Sequence, residues 1–130
     1  MSHGFPYSPL AWQIANRLTD GIRTDAGATV DVNGSAGPAS GYMVGVPGYG
    51  ITLPLSSFTL DDVAAWVTDT RRHIATADAT YLGAWVDGDT VYLDVSQRFN
   101  DRGVALIVAS QRDELAIWDV AAGAEIRTGE

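Results

Sequence analysis

The stretch that decides the fold runs from residue 81 to residue 96 and reads YLGAWVDGDTVYLDVS. Its two halves are rich in β-branched and aromatic residues, which favour strands. Between them lies Asp87-Gly88, a dipeptide preferred in two-residue hairpin turns. We therefore predict a β-hairpin over Tyr81–Val95 in which Val86 pairs with Asp89 across the turn.

The predicted hairpin has two chemically different faces, because side chains alternate along a strand. One face is aliphatic and is expected in the core: Leu82, Ala84, Val86, Val91, Leu93 and Val95. The other face is aromatic and polar: Tyr81, Trp85, Thr90, Tyr92 and Asp94. This second face is either an exposed surface or is covered by the N-terminal helix through Leu10, Trp12 and Ile14.

Helices and further strands are predicted on both sides of the hairpin from capping residues, apolar periodicity and turn residues. The helix boundaries are Ser8-Pro9 to Asp20-Gly21, Thr59 with Asp62 to Ile74, and Asn100 or Asp101 to Glu114. The strands are Thr29–Val32, Tyr42–Val46, Ile51–Leu53, Leu115–Val120 and Glu125–Thr128. Together these elements predict a single α+β domain over residues 1–130. Its small, mostly antiparallel sheet carries two or three helices packed on one face.

Composition agrees with one globular domain that folds without covalent cross-links. The 130 residues are 46% hydrophobic and 18% charged, with no cysteine. No basic region followed by an apolar run opens the chain, and no stretch is apolar enough for a membrane helix. We expect a soluble cytoplasmic protein that does not bind membranes.

The charge is strongly biased towards acid. The net charge is −8, lysine is absent, and all eight basic residues are arginine. Such a surface repels nucleic-acid phosphate, and no arginine cluster exceeds the pair Arg71-Arg72. Direct nucleic-acid binding is therefore not expected.

Side chains suited to catalysis or metal binding are few. The two histidines, His3 and His73, are far apart in sequence, and cysteine and lysine chemistry is excluded by composition. We predict no catalytic residues, no metal site and no cofactor. An alternative hypothesis keeps Asp94 and Asp119 as the carboxylate pair of a small hydrolase or ligand-binding protein.

Several motifs in the C-terminal half occur together in a known group of proteins. They are Tyr81-Leu-Gly-Ala-Trp85, Val91-Tyr-Leu-Asp-Val-Ser96, Ala116-Ile-Trp-Asp119 and Ile126-Arg-Thr-Gly129. The pattern resembles uncharacterised small acidic proteins of actinobacterial phages and mobile elements. The resemblance implies an origin, and the cytoplasm of a host cell as the place of action, but no mechanism.

These observations lead to two hypotheses besides the hydrolase. The first is a non-enzymatic protein-binding module that acts on a host or defence factor. Its binding residues would be Tyr81, Trp85, Tyr92 and Asp94, because amphipathic aromatic side chains are typical of interaction surfaces. The second is a self-assembling or virion-associated structural protein whose homo-oligomer forms through a free sheet edge, at Tyr42–Val46 or at the C-terminal strand.

Overall fold

Three helices are separated by groups of two or three strands along the described part of the protein, which in the computed structural model comprises residues 7–74 and 79–129. The described helices are α1 (Pro9–Asp25), α2 (Leu60–Ile74) and α3 (Arg102–Gln111). The strands are β1 (Gly27–Asp31), β2 (Tyr42–Gly45), β3 (Ile51–Pro54), β4 (Thr80–Asp87), β5 (Thr90–Phe99), β6 (Ala116–Asp119) and β7 (Ala124–Arg127). This is the predicted α+β fold. His3 lies outside the described residues.

The seven strands form one antiparallel sheet in the order β1-β4-β5-β2-β6-β7. β3 lies off this path and pairs with β5 beyond the end of β2. β2 pairs with β5 on one side and, at Tyr42 and Met43, with β6 on the other. The expectation of a free edge at Tyr42–Val46 was therefore wrong. β7 does lie at the edge of the sheet.

The hairpin forms, but its turn lies one residue later than predicted. Asp87 pairs with Thr90 and Val86 with Val91, so the loop is Gly88-Asp89. Gly88 has φ of 62° at the first central position, where a type II′ turn favours glycine. Each residue of β4 therefore pairs with the residue of β5 that lies two positions beyond its predicted partner. Because side chains alternate with a period of two, every residue keeps its predicted face.

The aliphatic hairpin face is buried beneath α1 and α2. Leu82, Val91, Leu93 and Val95 are at most 1% exposed. They join one core cluster with Ile14, Leu18, Val63 and Val67 from the two helices. Trp12 also packs against this cluster, so α1 does not cover the aromatic face, and that alternative was wrong.

The third helix packs on the same side of the sheet. Ala105 and Ala109 of α3 form a second buried cluster with Val44 and Ile117. Val44 pairs with Gln97, which shares the face of Val95 by alternation along β5. The three described helices therefore lie on one face, as predicted, and leave the opposite face open.

Helix starts follow the predicted capping chemistry. Ser8 accepts a hydrogen bond from the Ala11 amide (3.1 Å) and Asp101 accepts one from the Val104 amide (2.8 Å). Thr59 and Asp62 form the reciprocal capping box (2.9 and 3.1 Å).

Two predictions about individual elements were wrong, one for the end of α1 and one for the strand after α3. Gly21 does not end α1, which continues to Asp25. It is buried, and a Cβ there would collide with Ala28, so glycine permits close packing of α1 on β1. The apolar run over Leu115–Val120 favours a buried strand, and this expectation was wrong. β6 begins at Ala116, Leu115 before it is 76% exposed, and only Ile117 within the strand is buried.

Leu82 tests the assignment of the core face. Leu82→Ala removes a side chain that is 0% exposed and should lower the free energy of unfolding by about 2–5 kcal/mol. Urea denaturation measures this change. The control, Leu115→Ala, should shift it by less than about 0.5 kcal/mol. Similar effects of the two substitutions would contradict the assignment.

Candidate functional site

A groove of about 1060 Å³ crosses the open face of the sheet, opposite the helices. We call it the open-face groove. The residues that line it include five glycines (Gly27, Gly45, Gly48, Gly50 and Gly83), two tryptophans (Trp85 and Trp118) and three acids (Asp94, Glu114 and Glu125). The groove therefore combines bare backbone, aromatic rings and carboxylates.

Glycines make room for two of the carboxylates. Gly83 pairs with Asp94 across β4 and β5, and a Cβ on Gly83 would lie 2.6 Å from Asp94 Oδ1. A Cβ on Gly45 would collide with the Glu114 carboxylate. Both contacts would be closer than real Cβ atoms allow. Each acid therefore occupies the space that a side chain at position 83 or 45 would need.

Two neighbouring side chains fix the orientation of Trp85 on this face. Its ring stacks on Tyr92, the cross-strand partner, with centroids 4.1 Å apart and planes inclined by 10°. Its Nε1 donates a hydrogen bond to Asp94 Oδ2 at 3.0 Å. On the other side, Trp85 pairs with Gly27, which has no side chain to cover the ring. Trp85 is accordingly 45% exposed despite being fixed in orientation.

Burial makes the ionised form of Asp94 less favourable than it is in water. Burial raises the pKa of Asp94 above its ordinary value, while the hydrogen bond from Trp85 opposes this rise. No positively charged side chain among the described residues contributes to the shift. The Asp94 side chain is thus partly desolvated, with a raised pKa and no cation among the causes of the shift, and perturbed groups of this kind are common in binding and catalytic sites.

The far end of the groove is built by β6, β7 and the loop after α3. Trp118 pairs with Met43 on one side and with Glu125 on the other, and is itself 45% exposed. Glu114 comes from the loop between α3 and β6. A second aromatic and acidic cluster therefore lies at this end.

The arginines near this face do not line the open-face groove, and two of them form hydrogen bonds with residues outside its acidic cluster. Arg98 donates to the Ser40 carbonyl (2.6 Å) and to Asn100 Oδ1 (2.7 Å). Arg112 donates to the Gly45 carbonyl and to Gln97 Oε1. Arg127 lies further along β7, opposite Ala116. Among the described lining residues none is basic.

The predicted binding residues fall into three positions. Trp85 and Asp94 line the groove. Tyr92 supports the ring of Trp85 by stacking. Tyr81 pairs with Ser96 and therefore shares this face, but it does not line the groove.

Asp119, the proposed partner of Asp94 in a hydrolase, is not brought to it. Asp119 follows Trp118 in β6 and so points to the opposite face. Its Oδ1 accepts a hydrogen bond from the Ala122 amide at 3.2 Å within the turn before β7. The structure therefore separates this carboxylate pair.

Sequence reasoning missed Trp118, Glu114 and Glu125. Trp118 had a detectable signal, because it alternates with the buried Ile117 in a short strand and must face away from the core. The two glutamates had none, since their approach depends on how β6 pairs with β2 and β7.

No protein family, curated protein or solved structure matches this chain. Within residues 7–74 and 79–129, no helix is long and apolar enough to cross a membrane. The same residues contain no cluster of three or more side chains suited to hold a metal ion.

Asp94→Asn tests the cost of the buried charge. The folded protein holds the Asp94 proton more tightly than the unfolded chain, whose pKa is near the ordinary 3.8. As the pH rises past about 4, the unfolded chain ionises first, so wild-type stability should fall relative to the variant until the folded-state pKa is passed. Urea unfolding of both proteins between roughly pH 3 and pH 8 measures this difference.

Asp20→Asn is the matched control, because Asp20 is exposed on α1. Its stability difference from wild type should vary less with pH. A pH-independent difference between wild type and Asp94→Asn would show that Asp94 is not desolvated.

Proposed function

We propose that this protein is a non-enzymatic protein-binding module whose binding surface is the open-face groove. The observation that carries the proposal is the fixed but 45% exposed Trp85, stacked on Tyr92 and hydrogen-bonded to Asp94. Tryptophan and tyrosine are enriched in the energetic centres of protein interfaces, because a rigid ring offers a large contact area at little entropic cost.

The dimensions of the groove favour a chain segment over a small molecule. Its volume of about 1060 Å³ slightly exceeds the roughly 300–1,000 Å³ of typical small-ligand sites. Trp85 is in register with Tyr92 on β5, whereas Trp118 is in register, through Met43, with Arg98. The strand rise between Tyr92 and Arg98 gives about 20 Å along the sheet, and the strand spacings from β4 to β6 give about 14 Å across it. The two tryptophans therefore lie on the order of 25 Å apart, a span that an extended segment of about eight residues covers.

A non-enzymatic role is supported by the placement of the candidate carboxylates. The pair that would supply general acid and base, Asp94 and Asp119, lies on opposite faces of the sheet. The resemblance to proteins of actinobacterial phages and mobile elements supports a host or defence factor as the partner, encountered in the host cytoplasm.

Trp85→Ala tests this function in capture from an actinobacterial lysate. Removing an interface-centre tryptophan should weaken partner binding by about 2 kcal/mol or more. Ile51→Ala, which truncates a 39% exposed side chain on β3, should not. Calorimetry with the purified partner measures both affinities, and circular dichroism checks folding. Equal retention of the partner by the two variants would exclude the groove as the binding surface.

Self-assembly is the second candidate, and α3 rather than a sheet edge favours it. Val104 and Ile107 lie one turn apart on α3 and are 46% and 60% exposed. α3 contains no acidic residue, whereas the whole chain has a net charge of −8. Two copies repel each other least where acids are absent, so this helix is the surface on which a homo-oligomer would form.

Sedimentation velocity over a range of concentrations tests self-assembly. The wild type should associate as concentration rises, and Ile107→Glu should remain monomeric because it buries a charge in the contact. Gln13→Glu adds the same charge at an exposed site on α1 and should associate like wild type. A wild type that stays monomeric at the highest concentration would exclude this candidate.

A further inference from the structure

We infer that the open-face groove recognises a basic protein segment by seating an arginine or lysine side chain against the Trp85 ring and the Asp94 carboxylate. The inference rests on the proposed function and names the chemistry of the partner. It is carried by the charge of the lining, the free ring face of Trp85 and the unused acceptor oxygen of Asp94.

The charge of the lining selects a cationic guest. Asp94, Glu114 and Glu125 line the groove, and none of the described lining residues is basic. Arg98, on the same face, already donates to Ser40 and Asn100. Arg127 shares the face of Glu125 on β7 but lies outside the lining. The lining itself is therefore acidic, so a positively charged segment is attracted and an acidic segment or a nucleic acid is repelled.

The aromatic ring gives the cation a platform. One face of the Trp85 indole stacks on Tyr92, while the opposite position on β1 is Gly27. A cation within about 6 Å of an indole centroid is attracted by the ring quadrupole. A planar guanidinium also stacks on such a ring, which favours arginine over lysine.

Asp94 supplies the counter-charge beside this platform. Its Oδ2 accepts the Trp85 N–H, whereas no described residue donates to Oδ1, which lies over Gly83. A guest N–H can therefore bind Oδ1 without displacing the internal hydrogen bond. Burial raises the pKa of Asp94, so a guest cation would offset the cost of the charge and favour its ionised form.

The second cluster sets the spacing between cations. Trp118, Glu114 and Glu125 repeat the combination of ring and carboxylate at the far end of the groove. With the two tryptophans on the order of 25 Å apart, an extended segment would place basic residues about eight positions apart, and this even spacing directs both side chains to the same side. The preferred guest is thus an extended chain with two separated arginines.

A synthetic peptide with two arginines about eight positions apart, joined by glycine and serine, provides the probe. The matched control peptide replaces both arginines by citrulline, which keeps the size and planarity of the side chain but removes the charge and replaces one NH2 donor by a carbonyl acceptor. Binding is followed by NMR through the indole N–H resonance of Trp85, assigned with Trp85→Phe, at about 0.15 M salt.

The arginine peptide should shift the Trp85 resonance saturably, and the citrulline peptide should bind at least about tenfold more weakly. Asp94→Asn should lower affinity for the arginine peptide about tenfold, a loss typical of one charged hydrogen bond. Asp20→Asn removes the same charge from α1 and should change the affinity less than twofold if the attraction is local.

Three results would overturn the inference: equal binding of the two peptides, equal losses for Asp94→Asn and Asp20→Asn, or a Trp85 shift produced by a neutral oligosaccharide and not by the arginine peptide. The proposed function fails separately. If a captured protein depends on Trp85 but is insensitive to Asp94→Asn, the groove remains a protein-binding surface and its cation preference is wrong. If capture does not depend on Trp85, the proposed function itself is wrong.

Discussion

The antiparallel pairing of β4 with β5 is the constraint on which the rest of the structure depends. It divides one short stretch into two surfaces, since Leu82 and Val95 face the helices while Gly83 and Asp94 face away. β1 pairs with β4, and β2 and β3 pair with β5, so every other sheet contact inherits this orientation. The helices bury the aliphatic side, and the opposite side remains available for the groove.

The open face combines features that oppose stability. A sheet interior normally favours bulky side chains, yet Gly27, Gly45 and Gly83 leave bare backbone at the floor of the groove. Asp94 loses hydration without gaining a cation. Packing accounts for how the glycines and Asp94 fit together, but neither the bare backbone nor the desolvated carboxyl group stabilises the fold. Local conflicts of this kind are expected at functional sites, where binding rather than folding determines the residue.

The sequence was sufficient to predict features that depend on neighbours within a few residues. The capping roles of Ser8, Thr59 with Asp62, and Asp101 all formed as expected. The two faces of the hairpin were also correct, although its register was not. Both Asp-Gly and Gly-Asp are good turn dipeptides, so the run Asp87-Gly88-Asp89 could not identify the turn by itself.

What the sequence could not predict depends on contacts between distant segments. Glu114 lies over Gly45 because α3 and β6 return to β2, and no local pattern encodes that approach. Gly21 looked like a helix stop, whereas its role is to let β1 pass close to α1.

The alternation of side chains along the hairpin has a consequence for how such a chain can evolve. A change in turn length that moves the pairing by an even number of residues leaves Trp85 and Asp94 on the open face. A change by an odd number would place the carboxylate of Asp94 among the helices and move Leu93 into water. Changes in the loop around Gly88-Asp89 are therefore compatible with the groove only if they shift the strand pairing by an even number of residues. Within that limit, the length of the hairpin can vary during evolution.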